Sequence, residues 1–165
     1  MSGAITRGVL FVHSAPRALC PHIEWAAGGV LGLRLSLDWI EQPAAPGLYR
    51  TEMSWQAPQG TGARLTSALR GWAHLRFEVT EEPSLGVDGE RFCHAPSLGL
   101  WRGRTSANGD IVVGEDQLRA LLTGSSGSQV VDRVQELLGS AWDAALEPFR
   151  LAGDGAPVTW LHQVG

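Results

Sequence analysis

Residues 33–39 read Leu-Arg-Leu-Ser-Leu-Asp-Trp, apolar and polar side chains in strict alternation, and two further stretches repeat the pattern. Tyr49, Thr51, Met53 and Trp55 oppose Arg50, Glu52, Ser54 and Gln56, while Leu75, Phe77 and Val79 oppose His74, Arg76, Glu78 and Thr80. A period of two marks a strand with one buried face. The segment GVLFVHSA from Gly8 differs, because Val9 and Phe11 on one face are matched by Leu10 and Val12 on the other. That is the pattern of a strand covered on both sides, expected at the centre of its sheet.

Between these strands the period lengthens to that of a helix. From Pro21, a favourable first helical position, Ile23, Ala26, Ala27, Val30 and Leu31 form one apolar stripe. Gly28, Gly29 and Gly32 lie within or just after that stripe, which assigns them to close packing and a C-cap and not to a phosphate loop. Thr61 is the expected N-cap of a second helix that buries Leu65, Ala68, Leu69 and Trp72. The order strand, helix, strand, strand, helix, strand predicts an α+β fold, a ferredoxin-like split β-α-β unit with an antiparallel sheet over residues 8–82.

Beyond Glu82-Pro83 the turn dipeptides Asp88-Gly89 and Asn108-Gly109 separate short strands near 91–94, 98–104 and 111–113, with a short helix at 117–122. After Gly127, Val130, Val134, Leu137, Leu138, Trp142, Leu146 and Phe149 keep helical spacing. The chain, 1–165, reads as one domain in which a β-hairpin and helical extension, 83–165, packs on the open face of the core or lengthens its sheet. That packing is expected to bury Val134, Leu138 and Trp142. Seven tryptophans, at 25, 39, 55, 72, 101, 142 and 160, read as packing anchors.

Composition then narrows the chemistry. A net charge of −4 with no basic run speaks against phosphate neutralisation and so against nucleic acid as a partner. No apolar run approaches a membrane span and the N-terminus lacks the pattern of a signal peptide. The expectation is a cytoplasmic protein that avoids membranes, with Cys20 and Cys93 as reduced thiols. All 13 basic residues are arginine, which excludes a Schiff-base lysine, a P-loop lysine and a lysine-borne cofactor.

Topology supplies the candidate site. Read onto the split β-α-β scaffold, the end of the first strand, the starts of both helices and the start of the fourth strand share one rim, gathering His13, Ser14, Arg17, Cys20, His22, Gln56, Thr61 and His74. Helix N-termini beside Arg17 suit a carboxylate or phosphate, so His13, Ser14, Arg17, His22, Thr61 and His74 are the expected ligand-binding residues, with His13 and His74 adjacent on neighbouring strands. Local capping and hydrogen bonding is the plainer reading of the same residues. Cys20, at a helix start near Arg17, offers the alternative of a nucleophile with His13 or His22 as base, although no nucleophile motif accompanies it.

Metal binding by Cys20, His22, Cys93 and His94 fits no common zinc spacing, and the acidic stretch 77–91 lacks that of a calcium loop, so no metal or cofactor is expected. The alternating polar positions Arg34, Asp38, Arg50, Glu52, Arg76 and Glu78 read as a cross-strand ion-pair surface without the aromatics of an RNA-binding sheet.

The strings GVLFVHSAPRALCPHIEWA, ALRGWAHLRFEVTEEPSLGVDGERF, AWDAALEPFR and GAPVTWLHQVG resemble, in order and across nearly the whole chain, an uncharacterised actinobacterial family, domain of unknown function 3145. The resemblance implies a cytoplasmic actinobacterial protein, in keeping with the arginine bias, and brings no activity or site residues. The sequence thus reads as a non-catalytic cytoplasmic regulatory domain that binds a small anionic ligand or a protein partner, a second copy included. The alternative is a small hydrolase or transferase using Cys20.

Overall fold

The computed structural model describes residues 3–152 and the backbone of 159–160. β1 (Ile5–Pro16) passes through a 3-10 turn into α1 (Cys20–Leu31), followed by β2 (Ile40–Glu41), β3 (Leu48–Pro58), α2 (Thr61–Leu69) and β4 (Arg76–Glu81). β5 (Gly89–Ala95), β6 (Gly99–Thr105) and β7 (Ile111–Val112) come next, then α3 (Glu115–Gly124), α4 (Gly127–Leu138), α5 (Ser140–Leu151) and β8 (Thr159–Trp160). The sheet order is β2-β3-β1-β4-β5-β6-β7, all antiparallel, with β8 parallel to β3. Its first four strands have the order of a ferredoxin-like split β-α-β unit, and the protein is of the α+β class.

β1 is central, as its doubly apolar pattern requires. On one face Leu10, Val12, Met53, Trp55, Phe77 and Val79 pack against Ile23, Ala27 and Leu31 of α1 and Leu65 and Leu69 of α2. The contact at Gly8 is so close that a Cβ there would stand 2.0 Å from the Thr80 carbonyl oxygen and 2.1 Å from the Trp55 ring. Only glycine fits.

The alternation at 33–39 is correct as burial and wrong as pairing. Leu35 and Leu37 are buried while Arg34, Ser36 and Asp38 are exposed, yet the expected second strand forms no ladder, and only Ile40 and Glu41 pair with β3. The reason lies on α1: Glu24 accepts the Leu37 N–H at 2.8 Å and the Trp39 indole N–H at 3.0 Å, taking the place of a neighbouring strand. Arg34 and Asp38 therefore do not belong to the polar face of the sheet.

That polar face is covered by α5. Leu146 is fully buried among Cys93, Ala95 and Trp101, and the Trp142 indole donates to the Gly99 carbonyl at 3.0 Å. The expected burial of Val134, Leu138 and Trp142 is corrected accordingly. Val134 and Trp142 are half-buried, Leu138 is 38% exposed, and α4 buries no residue fully. Gly139, at φ 70° and against the Trp101 ring, turns the chain so that α5 is the helix pressed on the sheet. Among the described residues no helix is long and apolar enough to cross a membrane. The closing string from Gly155 lies, save the backbone of 159–160, outside the described residues.

Candidate functional site

The expected rim is not assembled. β1 and β3 are antiparallel, with Ile5 opposite Pro58 and Pro16 opposite Leu48, so the starts of α1 and α2 lie at opposite ends of the sheet. Thr61, just after Pro58, and Gln56, opposite Arg7, are separated from Ser14 and Arg17 by most of the length of β1, about 30 Å at 3.3 Å per residue.

Nor is Thr61 the N-cap. Gly60, at φ 92°, holds that place, and the Thr61 hydroxyl donates to the Pro58 carbonyl at 2.6 Å. The N-terminal donors of α2 already have an anion: Gly60 and Gly62 N–H donate to the two oxygens of Glu81 at 2.8 and 2.7 Å.

The remaining rim residues disperse. Ser14 is buried and accepts from Arg76 at 3.3 Å, Arg17 is exposed with its guanidinium 5.8 Å from the Tyr49 ring centre, and His22 is exposed on α1. His74 is exposed in the turn before β4, outside the ladder in which Ser14 faces Arg76, and the partner of His13 is Glu78 instead.

The Cys20 alternative also loses its geometry. Cys20 is buried between α1 and the sheet, and its thiol donates to the Pro16 carbonyl at 3.6 Å. Burial and the nearby Glu24 push its pKa up, away from a thiolate. His13 points to the other face of the sheet. Cys93 and His94, adjacent in β5, point to opposite faces, His94 donating through Nδ1 to the Leu75 carbonyl at 2.7 Å. No cluster of metal-binding side chains forms among the described residues.

A different cluster is built, on the face beneath α5. Glu78 sits opposite Phe11 in the β1–β4 ladder and opposite Cys93 in the β4–β5 ladder, which brings three strands to one carboxylate. His13 donates through Nε2 at 2.6 Å, Arg150 from α5 donates through Nε at 2.9 Å and through Nη2, and the Cys93 thiol donates at 3.4 Å. Arg150 also holds Asp143 at 3.0 Å and Glu147 at 3.3 Å. The buried Gln42 donates to the His13 carbonyl at 2.8 Å and fixes the strand where β1 bulges after Val12.

Burial alone would raise the pKa of Glu78, but the hydrogen bonds from Arg150 and His13 and their charges outweigh it and hold the group down to about 2. The same carboxylate pushes the buried Cys93 thiol, already raised by desolvation, further up and raises Arg150. Glu78 is thus an anion at neutral pH with both oxygens engaged.

Beside it opens a cavity of about 390 Å³ lined by Phe11, His13, Arg50, Glu52, Glu78, Thr80, Arg91 and Arg150. Of the residues expected from the sequence at a binding site, His13 alone is here. Glu78, Arg50 and Glu52 had been legible only as surface charges, while Arg91 and Arg150 gave no sign. One signal was available: a glutamate between Phe77 and Val79, in a strand destined to lie beside that of His13.

Residues 9–163 match the family described as "Protein of unknown function (DUF3145)". The chain belongs to that family. No curated protein and no solved structure matches it.

Proposed function

We propose that this protein is a non-catalytic cytoplasmic binding domain whose ligand is a small anion seated in the cavity between the polar face of the sheet and α5. The observation that carries the reading is the charge of the lining. Arg150 and His13 hydrogen-bond Glu78, and the wall of the space also carries the guanidiniums of Arg50 and the half-exposed Arg91 and the carboxylate of Glu52. A concavity of this size, walled by three guanidiniums and two carboxylates, suits a metabolite bearing a carboxylate or phosphate. The non-catalytic part of the reading is supported by the same groups: a carboxylate held near 2 is a poor base, and burial pushes the pKa of both thiols up. A regulatory role fits because α5 walls the cavity through Arg150, so an anion bound there would hold α5 on the sheet.

The test is a thermal-shift screen of phosphate, succinate, citrate and nucleotides against the native chain and Arg91→Ala. Arg91 is half-exposed and among the described residues gives its Nη2 to the Gly109 carbonyl at 3.2 Å, so the variant is expected to fold, which circular dichroism checks. A saturable rise in Tm that Arg91→Ala removes supports the proposal. A screen with no Arg91-dependent shift refutes it.

A further inference from the structure

A second and larger concavity, about 680 Å³, lies at the far edge of the sheet between β6–β7 and the α3–α4 pair. Its floor and walls are Trp101, Val112, Val113, Ala120, Leu121 and Leu137. Trp101 and Leu121 are buried, Val112, Val113 and Leu137 are half-buried, and Ala120 is exposed at the opening. The indole N–H of Trp101 is spent on the Glu136 carbonyl at 3.0 Å, so the ring presents only its apolar body.

Charge enters at the rim. Arg133 of α4 is exposed and forms no ion pair among the described residues, while Arg104, whose guanidinium lies against Gly114 at the start of α3, pairs only loosely with Asp88 at 3.6 Å. Glu136 is the one acidic side chain on the lining, and the Arg102 head is turned away onto Glu90 and Phe92. A trough with an apolar floor and a polar, mostly cationic rim suits a ligand that carries both an apolar body and a negative charge.

We infer that this groove binds an amphipathic anion, a molecule with an unbranched or planar apolar body and a terminal carboxylate. The body lies along Trp101, Leu121 and Leu137, removing their accessible surface from water, and the carboxylate meets Arg133 and Arg104. The volume falls in the range of small-molecule sites. This site is independent of the small-anion cavity under α5, with which it shares no lining residue.

The experiment is isothermal titration of the full chain with decanoate below its micellar range, set beside decyltrimethylammonium and acetate. Decanoate is expected to bind 1:1, with neither comparison compound doing so. Arg133→Glu is expected to weaken it by about threefold to fivefold, the upper part of what one exposed ion pair contributes. Ala120→Trp, which fills the opening from an exposed position, is expected to abolish it, with circular dichroism verifying the fold of both variants. Arg91→Ala should leave it unchanged. Equal binding of decyltrimethylammonium, retention of binding in Ala120→Trp, or its loss in Arg91→Ala would each overturn the assignment, as would no binding of decanoate at all.

Discussion

Glu78 offers the sharpest energetic test, because one carboxylate ties three strands to α5. Its pKa lies at about 2 against an ordinary 4.5, and it is only 7% exposed. At about 1.4 kcal/mol per pH unit the difference amounts to about 3 kcal/mol of stability. The folded-state pKa is depressed, so this contribution is complete above the unfolded pKa of 4.5 and is lost as pH falls towards 2.

Between pH 5 and pH 3, below the range in which histidine ordinarily titrates, Glu78 alone should remove about 2 kcal/mol. Other carboxylates titrate there too, and Glu78→Gln separates them. Urea unfolding of native and variant chains at both pH values should show the native advantage shrinking by about 2 kcal/mol on acidification. An advantage that stays constant, or that widens at pH 3, would show that Glu78 is not the depressed group.

Other consequences are direct. Gly8→Ala puts a methyl group 2.0 Å from a backbone oxygen and should cost about 3 kcal/mol or more, read as a collapse of Tm or of soluble yield; near-native stability would mean that β1 and β4 can part at Gly8. Leu146→Ala should cost about 2–5 kcal/mol in chemical unfolding, since its side chain anchors α5, and a loss under 1 kcal/mol would contradict that role. Glu81→Ala leaves the buried Gly62 N–H and the more exposed Gly60 N–H without their acceptor and should cost about 1–3 kcal/mol, with hydrogen exchange accelerating first at Gly60 and Gly62. Cys20 and Cys93 should resist iodoacetamide at pH 8 until urea is added, whereas rapid alkylation of Cys20 in the native state would revive it as a nucleophile.

The parts of the fold legible in the sequence are those where one residue's environment repeats along an element. Apolar residues on both faces marked β1 as central, and alternation marked β3 and β4 as half-buried and Leu35 and Leu37 as inward even though their segment is no strand. Periodicity reports which way a side chain faces, whereas a ladder needs a partner, and Glu24 took that part from another element.

The site was less legible because it depends on register. His13 and Glu78 are 65 residues apart and meet through the β1–β4 pairing, while Arg150 arrives from a helix whose docking face is set by Leu146 and the turn at Gly139. The expectation of a shared helix-start rim failed on direction alone, since antiparallel β1 and β3 send their following helices off opposite ends. The N-terminus of α2 is satisfied from within by Glu81, a contact no local motif announces.

A small-anion site on the face beneath α5 would show itself in the backbone and arginine side-chain NMR signals of the full chain as phosphate and then citrate are added. Saturable shifts are expected, concentrated at Phe11, Glu52, Thr80 and Arg91, with the Arg91 Nε–H signal moving furthest. Shifts centred instead on Ser14 to His22, or on Gly60 to Gly62, or no saturable shift with either anion, would contradict it.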